Sequence, residues 1–207
     1  MPSGHKGSRM TQLDFWFDFA STYSYPAALR IAALATGRGV AVRWRPFLLG
    51  PIFAAQGWKD SPFNLYPVKG RHMWRDMERS CARLGLPLSR PEPFPQNSLH
   101  AARVALALDG AARPDFCRAV YRAQFGEGRN IAERATLADI LQKLGHHPAA
   151  VLEPAAEAPV KARLKLETET AQRAGVFGAP SFVTDDGELF WGNDRLEEAL
   201  AWAVEGR

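Results

Sequence analysis

The chain has 207 residues, of which 46% are hydrophobic and 23% charged, with 26 Lys and Arg against 22 Asp and Glu. This composition excludes a mainly disordered chain, and two cysteines are too few for a disulfide framework, which favours a reducing compartment. The net charge of +4 is interleaved with acidic residues, as at residues 75–79, so we expect no nucleic-acid partner.

The start of the sequence lacks the apolar stretch of a signal peptide. No run of about 18 apolar residues occurs anywhere in the sequence. We therefore expect a flexible leader over residues 1–11, no membrane segment and a cytoplasmic protein.

Alternating residues predict a first strand over residues 13–19, with four apolar side chains on one face. A turn rich in hydroxyl groups follows, and Pro26 opens a helical run that ends before Gly37. Residues 40–45 have the pattern of a second strand. The order of strand, helix and strand predicts two parallel strands at the start of an α/β layer.

The middle of the chain shows helical patterns and no strand pattern. Residues 51–67 look irregular, and the spacing of apolar residues then predicts helices at about 69–84, 98–109, 115–125 and 136–144. We therefore expect an all-helical subdomain over residues 51–154, inserted between the two parts of one α/β domain. Those parts are residues 12–50 and 155–207.

The end of the chain is predicted to contain a helix, two strands joined by a hairpin, and a last helix. The first of these helices covers residues 159–174, and strands at 181–184 and 188–191 flank an Asp-Asp-Gly turn. Asp194 and Glu197 have the spacing of a capping box, which predicts that Asp194 caps the last helix.

The turn after the first strand contains Ser21 and Ser24 but no cysteine, so a dithiol redox cycle is excluded at this turn. A serine at a helix N-terminus with no neighbouring histidine is a poor nucleophile. Its hydroxyl can, however, donate a hydrogen bond to a thiolate that a cofactor brings. The alternative is that these serines only cap the helix.

Two other features are predicted to be structural. Cys81 and Cys117 lie on predicted helices among apolar neighbours, which favours core positions. His146 and His147 are adjacent in a Gly-His-His-Pro turn, so their side chains point in different directions, and we expect a surface loop and no metal site.

The layout resembles the thioredoxin-like fold of the bacterial disulfide oxidoreductases, in which a cis-proline lies beside the active group; Pro180 matches that proline. Four motifs in the same order are similar to the 2-hydroxychromene-2-carboxylate isomerase family, which is glutathione-dependent and related to the kappa-class glutathione transferases. The motifs are residues 17–25, 61–71, 178–182 and 190–195. The resemblance covers about residues 13–204.

The resemblance implies the following site. Ser21 matches the active-site serine that contacts the glutathione sulfur, and the backbone of Ala179, before Pro180, matches the segment that pairs with the glutathione peptide. The segment that holds the γ-glutamyl end is matched by Trp191, Gly192, Asn193 and Asp194. Positions that face the substrate are matched by Asn64, Lys69 and Asn97, with Lys69 suited to a carboxylate. A turn role for the two asparagines and a solvated Lys69 stay open.

The resemblance implies a cis-trans isomerase of aromatic catabolism that interconverts 2-hydroxychromene-2-carboxylate and trans-o-hydroxybenzylidenepyruvate, or a close analogue. Its ligands would be glutathione and a small aromatic carboxylate, and because relatives are often dimeric, a homodimer stays open. The alternatives are a kappa-like glutathione transferase or peroxidase, and a non-catalytic thioredoxin-like binding module. The sequence departs from many relatives at Thr22, where they have Pro, and from some near Phe53, where they have Lys, which leaves the substrate open.

Overall fold

A computed structural model describes residues 11–206, so residues 1–10 of the predicted leader lie outside the described residues. Within the described part, four strands form one mixed sheet in the order β2-β1-β3-β4. Strand β1 (Gln12–Phe17) pairs in parallel with β2 (Ala41–Pro46) and antiparallel with β3 (Ser181–Thr184), which pairs antiparallel with β4 (Leu189–Trp191). The predicted parallel pairing of the first two strands is confirmed.

The strands at the two ends of the chain are separated by helices, in chain order. Helix α1 (Ser24–Thr36) connects β1 to β2. Between β2 and β3 lie α2 (Leu49–Ala55), α3 (Pro62–Leu65), α4 (Pro67–Leu84), α5 (Leu99–Ala107), α6 (Ala112–Tyr121), α7 (Arg134–Lys143), α8 (Pro148–Ala156) and α9 (Ala158–Arg173). A π-helical turn, Arg122–Gly126, follows α6, and a 3-10 turn, Asn193–Arg195, leads into α10 (Leu196–Glu205).

The structure differs from the sequence predictions at short elements. The stretch expected to be irregular, residues 51–67, contains most of α2 and all of α3, and α8 was not predicted. These helices are short, so they leave no long periodic pattern in the sequence. Each has a proline in its first turn, where the missing N–H removes no intrahelical hydrogen bond. Strand β1 ends at Phe17 because Asp18 turns the chain: its carboxylate accepts a hydrogen bond from the Ala20 amide at 2.9 Å.

Strand β1 is buried on both faces. Leu13, Phe15 and Phe17 enter the main core, where they meet side chains of α1, α6 and α10. On the opposite face, Trp16 packs in a second cluster with Phe47 and with residues of α2 and of the segment around the end of α9. Helices therefore cover both sides of the sheet, and packing on both faces holds β1 in place.

Cys81 and Cys117 are free thiols in the main core, as predicted. Burial raises the pKa of the Cys81 thiol to about 11 and raises that of Cys117 further, so neither thiol is reactive in the folded chain. No helix within residues 11–206 is long and apolar enough to cross a membrane.

Candidate active site

A cleft of about 2060 Å³ opens at the end of the sheet where β1 passes into α1. Its sheet wall consists of residue 18, residues 20–23, Arg30, residues 177–179, residues 191–195 and Glu197. The opposite, helical wall consists of residues from 48–69, from the second half of α4 and from 94–99. Most of the site residues that the family resemblance implies line this cleft: Ser21, Lys69, Asn97, Ala179, Trp191, Gly192, Asn193 and Asp194.

Ser21 lies on the sheet wall, just before α1, and is almost buried. Its hydroxyl donates a hydrogen bond to the backbone carbonyl of Ala179 at 2.8 Å and accepts one from the Ser24 amide at 3.3 Å. The Ser21 hydroxyl thus contacts the first residue of α1, although the N-cap position itself is Tyr23 and has no side-chain cap, and the binding role of Ser21 stays a prediction. The hydroxyl joins two segments that are 158 residues apart in sequence.

The loop that carries Ser21 is held by Asp18. The Asp18 carboxylate accepts hydrogen bonds from the amides of Ala20 at 2.9 Å and Leu49 at 2.7 Å, while its backbone carbonyl accepts one from the Tyr121 hydroxyl at 2.9 Å. Burial raises the pKa of Asp18 above its ordinary value, although these amides and Ser98 act in the opposite direction. Asp18 thus fastens the loop to the start of α2 and to α6, which fixes the position of Ser21.

The turn before β3 provides the backbone that faces Ser21. The Ala179-Pro180 peptide bond is cis, as predicted, and Pro180 lies behind Ala179 rather than in the lining of the cleft. Gly178 is needed here because a Cβ on it would meet Nε1 of Trp191 at 2.4 Å. The indole of Trp191 therefore packs directly over this turn, with its ring centroid 5.0 Å from that of Phe177.

The segment after β4 turns sharply along the sheet wall. Gly192 has a φ of 111°, a conformation that favours glycine, and a Cβ there would meet a carboxylate oxygen of Asp194 at 2.5 Å. The predicted capping role of Asp194 is wrong: Arg195 is the N-cap of α10 and no side chain caps the helix. The capping box does not form because a 3-10 turn, Asn193–Arg195, precedes α10; the Glu197 carboxylate is instead engaged by Arg30 at 2.9 Å.

The three predicted substrate-facing residues lie on or near the helical wall. Lys69 lines the cleft, and its Nζ lies 4.8 Å from the centroid of the Tyr66 ring. Asn97 also lines the cleft, while its side-chain oxygen accepts a hydrogen bond from the Leu99 amide at 2.9 Å at the start of α5. Asn64 does not line the cleft; its amide nitrogen donates to the carboxylate of Asp60.

The two walls differ in charge. On the helical wall Lys59, Lys69 and Arg83 form no salt bridge with any residue of 11–206. On the sheet wall the Asp194 carboxylate is 78% exposed and has only a long contact of 3.9 Å to Arg195. The cleft thus offers cations outside any of these salt bridges on one side and an exposed carboxylate with one long contact on the other.

The predictions from sequence missed several residues of the cleft. Asp18 and Tyr23 stand within the motif at residues 17–25, so the resemblance itself could have indicated them. The Tyr23 hydroxyl donates to Asp76 at 3.1 Å, and burial together with Asp76 raises its pKa. Arg30 and Arg83 gave no signal, because an arginine on an amphipathic helix usually faces solvent.

Within the described residues, no group of three or more His, Cys, Asp or Glu side chains is arranged to hold a metal ion. His147 immediately precedes α8, in the loop that follows α7.

Residues 12–201 match the family model of the DSBA-like thioredoxin domain. The 2-hydroxychromene-2-carboxylate isomerase of Sphingobium xenophagum is 33% identical, over 89% of this chain and 94% of its own length. The chain belongs to the 2-hydroxychromene-2-carboxylate isomerase family. Members of this family are isomerases, so the expectation of an enzyme is confirmed, as is the expected α/β thioredoxin-like fold with a helical insertion.

Two further comparisons are with a solved structure and with a kappa-class glutathione transferase. A solved structure of a 2-hydroxychromene-2-carboxylate isomerase superposes with a TM-score of 0.84 at 28% identity, covering 92% of this chain and 93% of that one. Glutathione S-transferase kappa 1 of Caenorhabditis elegans is 26% identical, over 91% of this chain and 88% of its own length. The relation to the kappa class expected from the sequence is therefore confirmed, while the individual site residues stay predictions.

Proposed function

We propose that this chain is a glutathione-dependent cis-trans isomerase that acts on 2-hydroxychromene-2-carboxylate and trans-o-hydroxybenzylidenepyruvate, or on a close aromatic analogue. The observation that carries the proposal is the contact between Ser21 and Ala179. It places a hydroxyl donor at the N-terminus of α1 next to an accessible stretch of backbone in the cleft. That is the arrangement needed to hold a peptide thiol and to stabilise its thiolate.

The residues present fit glutathione. Ala179 is only half-buried and lies on the cleft, so its backbone is available to pair with a short extended peptide. Farther along the same wall, the exposed Asp194 carboxylate suits the ammonium of a γ-glutamyl group. The only cysteines, Cys81 and Cys117, are buried outside the cleft, so a reactive thiol has to be supplied from outside.

The chemistry that bound glutathione would supply is reversible addition of its thiolate to a conjugated double bond, which lets that bond rotate before elimination restores the free thiolate. Ser21 would donate its hydroxyl hydrogen to the sulfur. To do so the hydroxyl must release the Ala179 carbonyl, which then needs another N–H donor. A ligand amide paired with Ala179 satisfies that carbonyl, so Ser21 becomes free to turn when the peptide is in place.

The helical wall suits an aromatic carboxylate. Phe53 and Trp58 form a ring pair with centroids 5.6 Å apart, and both line the cleft. Phe53 stands near a position where some relatives have Lys, so in this chain that part of the wall is apolar. The cation for the carboxylate would come from Lys69 on α4 instead.

The test is to incubate purified protein with each of the two isomers, with and without glutathione, and to follow their interconversion by absorbance. We expect conversion in both directions that requires glutathione and leaves its concentration unchanged. In this assay Ser181→Ala is the matched control for Ser21→Ala. The Ser181 hydroxyl donates to a carbonyl of the same turn at 2.9 Å, but Ser181 is fully buried. Failure to bind glutathione and to interconvert the isomers would refute the proposal.

The second candidate is a kappa-like transferase, in which the same thiolate attacks an electrophile and is consumed. The apolar Phe53 near the position of a lysine in some relatives favours it, because such a wall accepts an uncharged aromatic. Loss of glutathione in proportion to a halogenated aromatic, without isomerisation, would support this reading. A non-catalytic binding module would show neither reaction.

A further inference from the structure

Arg30 lies on α1 and reaches the segment after β4 from within the cleft. One of its terminal nitrogens, Nη2, donates to two acceptors of Asn193: the backbone carbonyl at 3.2 Å and the side-chain oxygen Oδ1 at 3.1 Å. The other, Nη1, donates to Glu197 at 2.9 Å. The Arg30 side chain is only 21% exposed, so these contacts are held in a largely desolvated place.

The contact with Arg30 determines which way the Asn193 amide points. A guanidinium has donors only, so the atom of Asn193 that faces Arg30 must be the oxygen. The Nδ2 group, with two N–H donors, is then directed away from Arg30, and it has no hydrogen-bond partner among residues 11–206. Since Asn193 lines the cleft, this unused donor is available to an anionic group of a ligand.

The spacing along α1 matches the length of the proposed ligand. Arg30 is six residues beyond Ser24, where α1 begins, which is about 9 Å along the helix axis. Two to three extended residues span about 7–11 Å. A peptide with its thiol at Ser21 can therefore place its far end at Asn193, beside the free carboxylate of Asp194.

We propose that Arg30 is a positioning residue for the α-carboxylate of the γ-glutamyl group: its hydrogen bonds orient the Asn193 amide so that the Nδ2 donors face that carboxylate. Asp194 takes the neighbouring ammonium, so the two ends of the amino-acid group are read by separate residues. This inference rests on the proposed use of glutathione, and it adds the residue that makes the site selective for a γ-glutamyl peptide over other small thiols.

The test is calorimetric binding of two thiols to the full chain. One is glutathione, and the other is 4-aminobutyryl-cysteinylglycine, which keeps the amine and the thiol but lacks the α-carboxylate. We expect the wild type to bind glutathione about ten- to a hundredfold more tightly than the analogue. We expect Arg30→Met to lose most of that preference by weakening glutathione only, while its affinity for the analogue stays within about twofold.

Two further variants complete the design. Arg30→Lys keeps the charge but lacks the fork that reaches Asn193 with one nitrogen and Glu197 with the other, so an intermediate preference is expected; it also serves if Arg30→Met does not fold. Arg38→Met, two residues beyond the end of α1, removes an exposed arginine whose side chain, among residues 11–206, donates only to the Leu34 carbonyl, and both affinities should be unchanged.

The outcomes separate this inference from the proposed function. If the wild type binds neither thiol, glutathione dependence itself fails. If the wild type binds glutathione but does not prefer it over the analogue, or if the Arg30 variants weaken both thiols equally, Arg30 has only a structural role and the inference is overturned.

Discussion

Replacing Ser21 with alanine separates a structural effect from a chemical one. In the free protein the change removes the hydrogen bond to Ala179 at 2.8 Å and the longer one from the Ser24 amide at 3.3 Å. Hydrogen bonds of this kind contribute about 0.5–1.5 kcal/mol each, so we expect a loss of about 1–2 kcal/mol in the free energy of unfolding. With glutathione bound, the change removes a donor to a thiolate.

A hydrogen bond to a charged group is worth about 1.5–3 kcal/mol, and one pKa unit corresponds to about 1.36 kcal/mol. Ser21→Ala should therefore raise the pKa of the bound glutathione thiol by about 1–2 units, toward the value near 8.5 of a free thiol. The assay is a titration of the thiolate absorbance in the ultraviolet, with the protein in excess over glutathione. The isomerisation rate near neutral pH should fall in parallel, because less thiolate is present.

Ser181→Ala distinguishes the two effects. It removes a hydroxyl-to-carbonyl hydrogen bond at 2.9 Å in the same turn, so it should destabilise the fold by a similar amount. It should leave the pKa of the bound thiol unchanged, because Ser181 does not line the cleft. If Ser21→Ala binds glutathione with an unshifted thiol pKa, the assignment of Ser21 as the thiolate donor is wrong.

Three more outcomes are expected. Gly192→Ala, at a φ of 111° and facing a carboxylate oxygen, should cost about 1–3 kcal/mol of stability and should weaken glutathione binding. Gly187→Ala, at a φ of 89° with open space around it, should cost stability only. Equal affinities of the two variants for glutathione would contradict this. The pKa of Cys81 is raised from 9.0 to about 11, so the unfolded chain loses the thiol proton at a lower pH than the folded chain. The free energy of unfolding of the wild type, relative to that of Cys81→Ala, should therefore fall as the pH rises between those two values. Urea unfolding at a series of pH values measures this, and parallel pH profiles would contradict it. Lys69→Met should raise the KM for the aromatic carboxylate about three- to tenfold without changing the affinity for glutathione. Lys143→Met, outside the cleft, is the control and should leave both values unchanged. An unchanged KM in Lys69→Met would show that Lys69 is not part of the substrate site.

Local patterns predicted the long elements of the fold well. The alternation before residue 18 predicted β1, and the run after Pro26 predicted α1, because both signals come from neighbours within a few residues. The same approach failed at α2 and α3, where short helices with a proline in the first turn resemble loops. The predicted cap at Asp194 failed because a 3-10 turn, Asn193–Arg195, moves the start of α10 to Leu196, and Glu197 contacts Arg30, which is 167 residues away in sequence.

The sequence by itself determined that the turn after β1 has no thiol, that its serine stands at a helix N-terminus, and that the chain resembles one family of isomerases. These conclusions depend only on residue types and their order. The tertiary structure decided which distant segments meet. It brought Ala179 to Ser21 and Asn193 to Arg30, and it turned Asn64 toward Asp60. Such contacts join residues far apart along the chain, so they depend on how the helices and strands pack and leave no local pattern in the sequence.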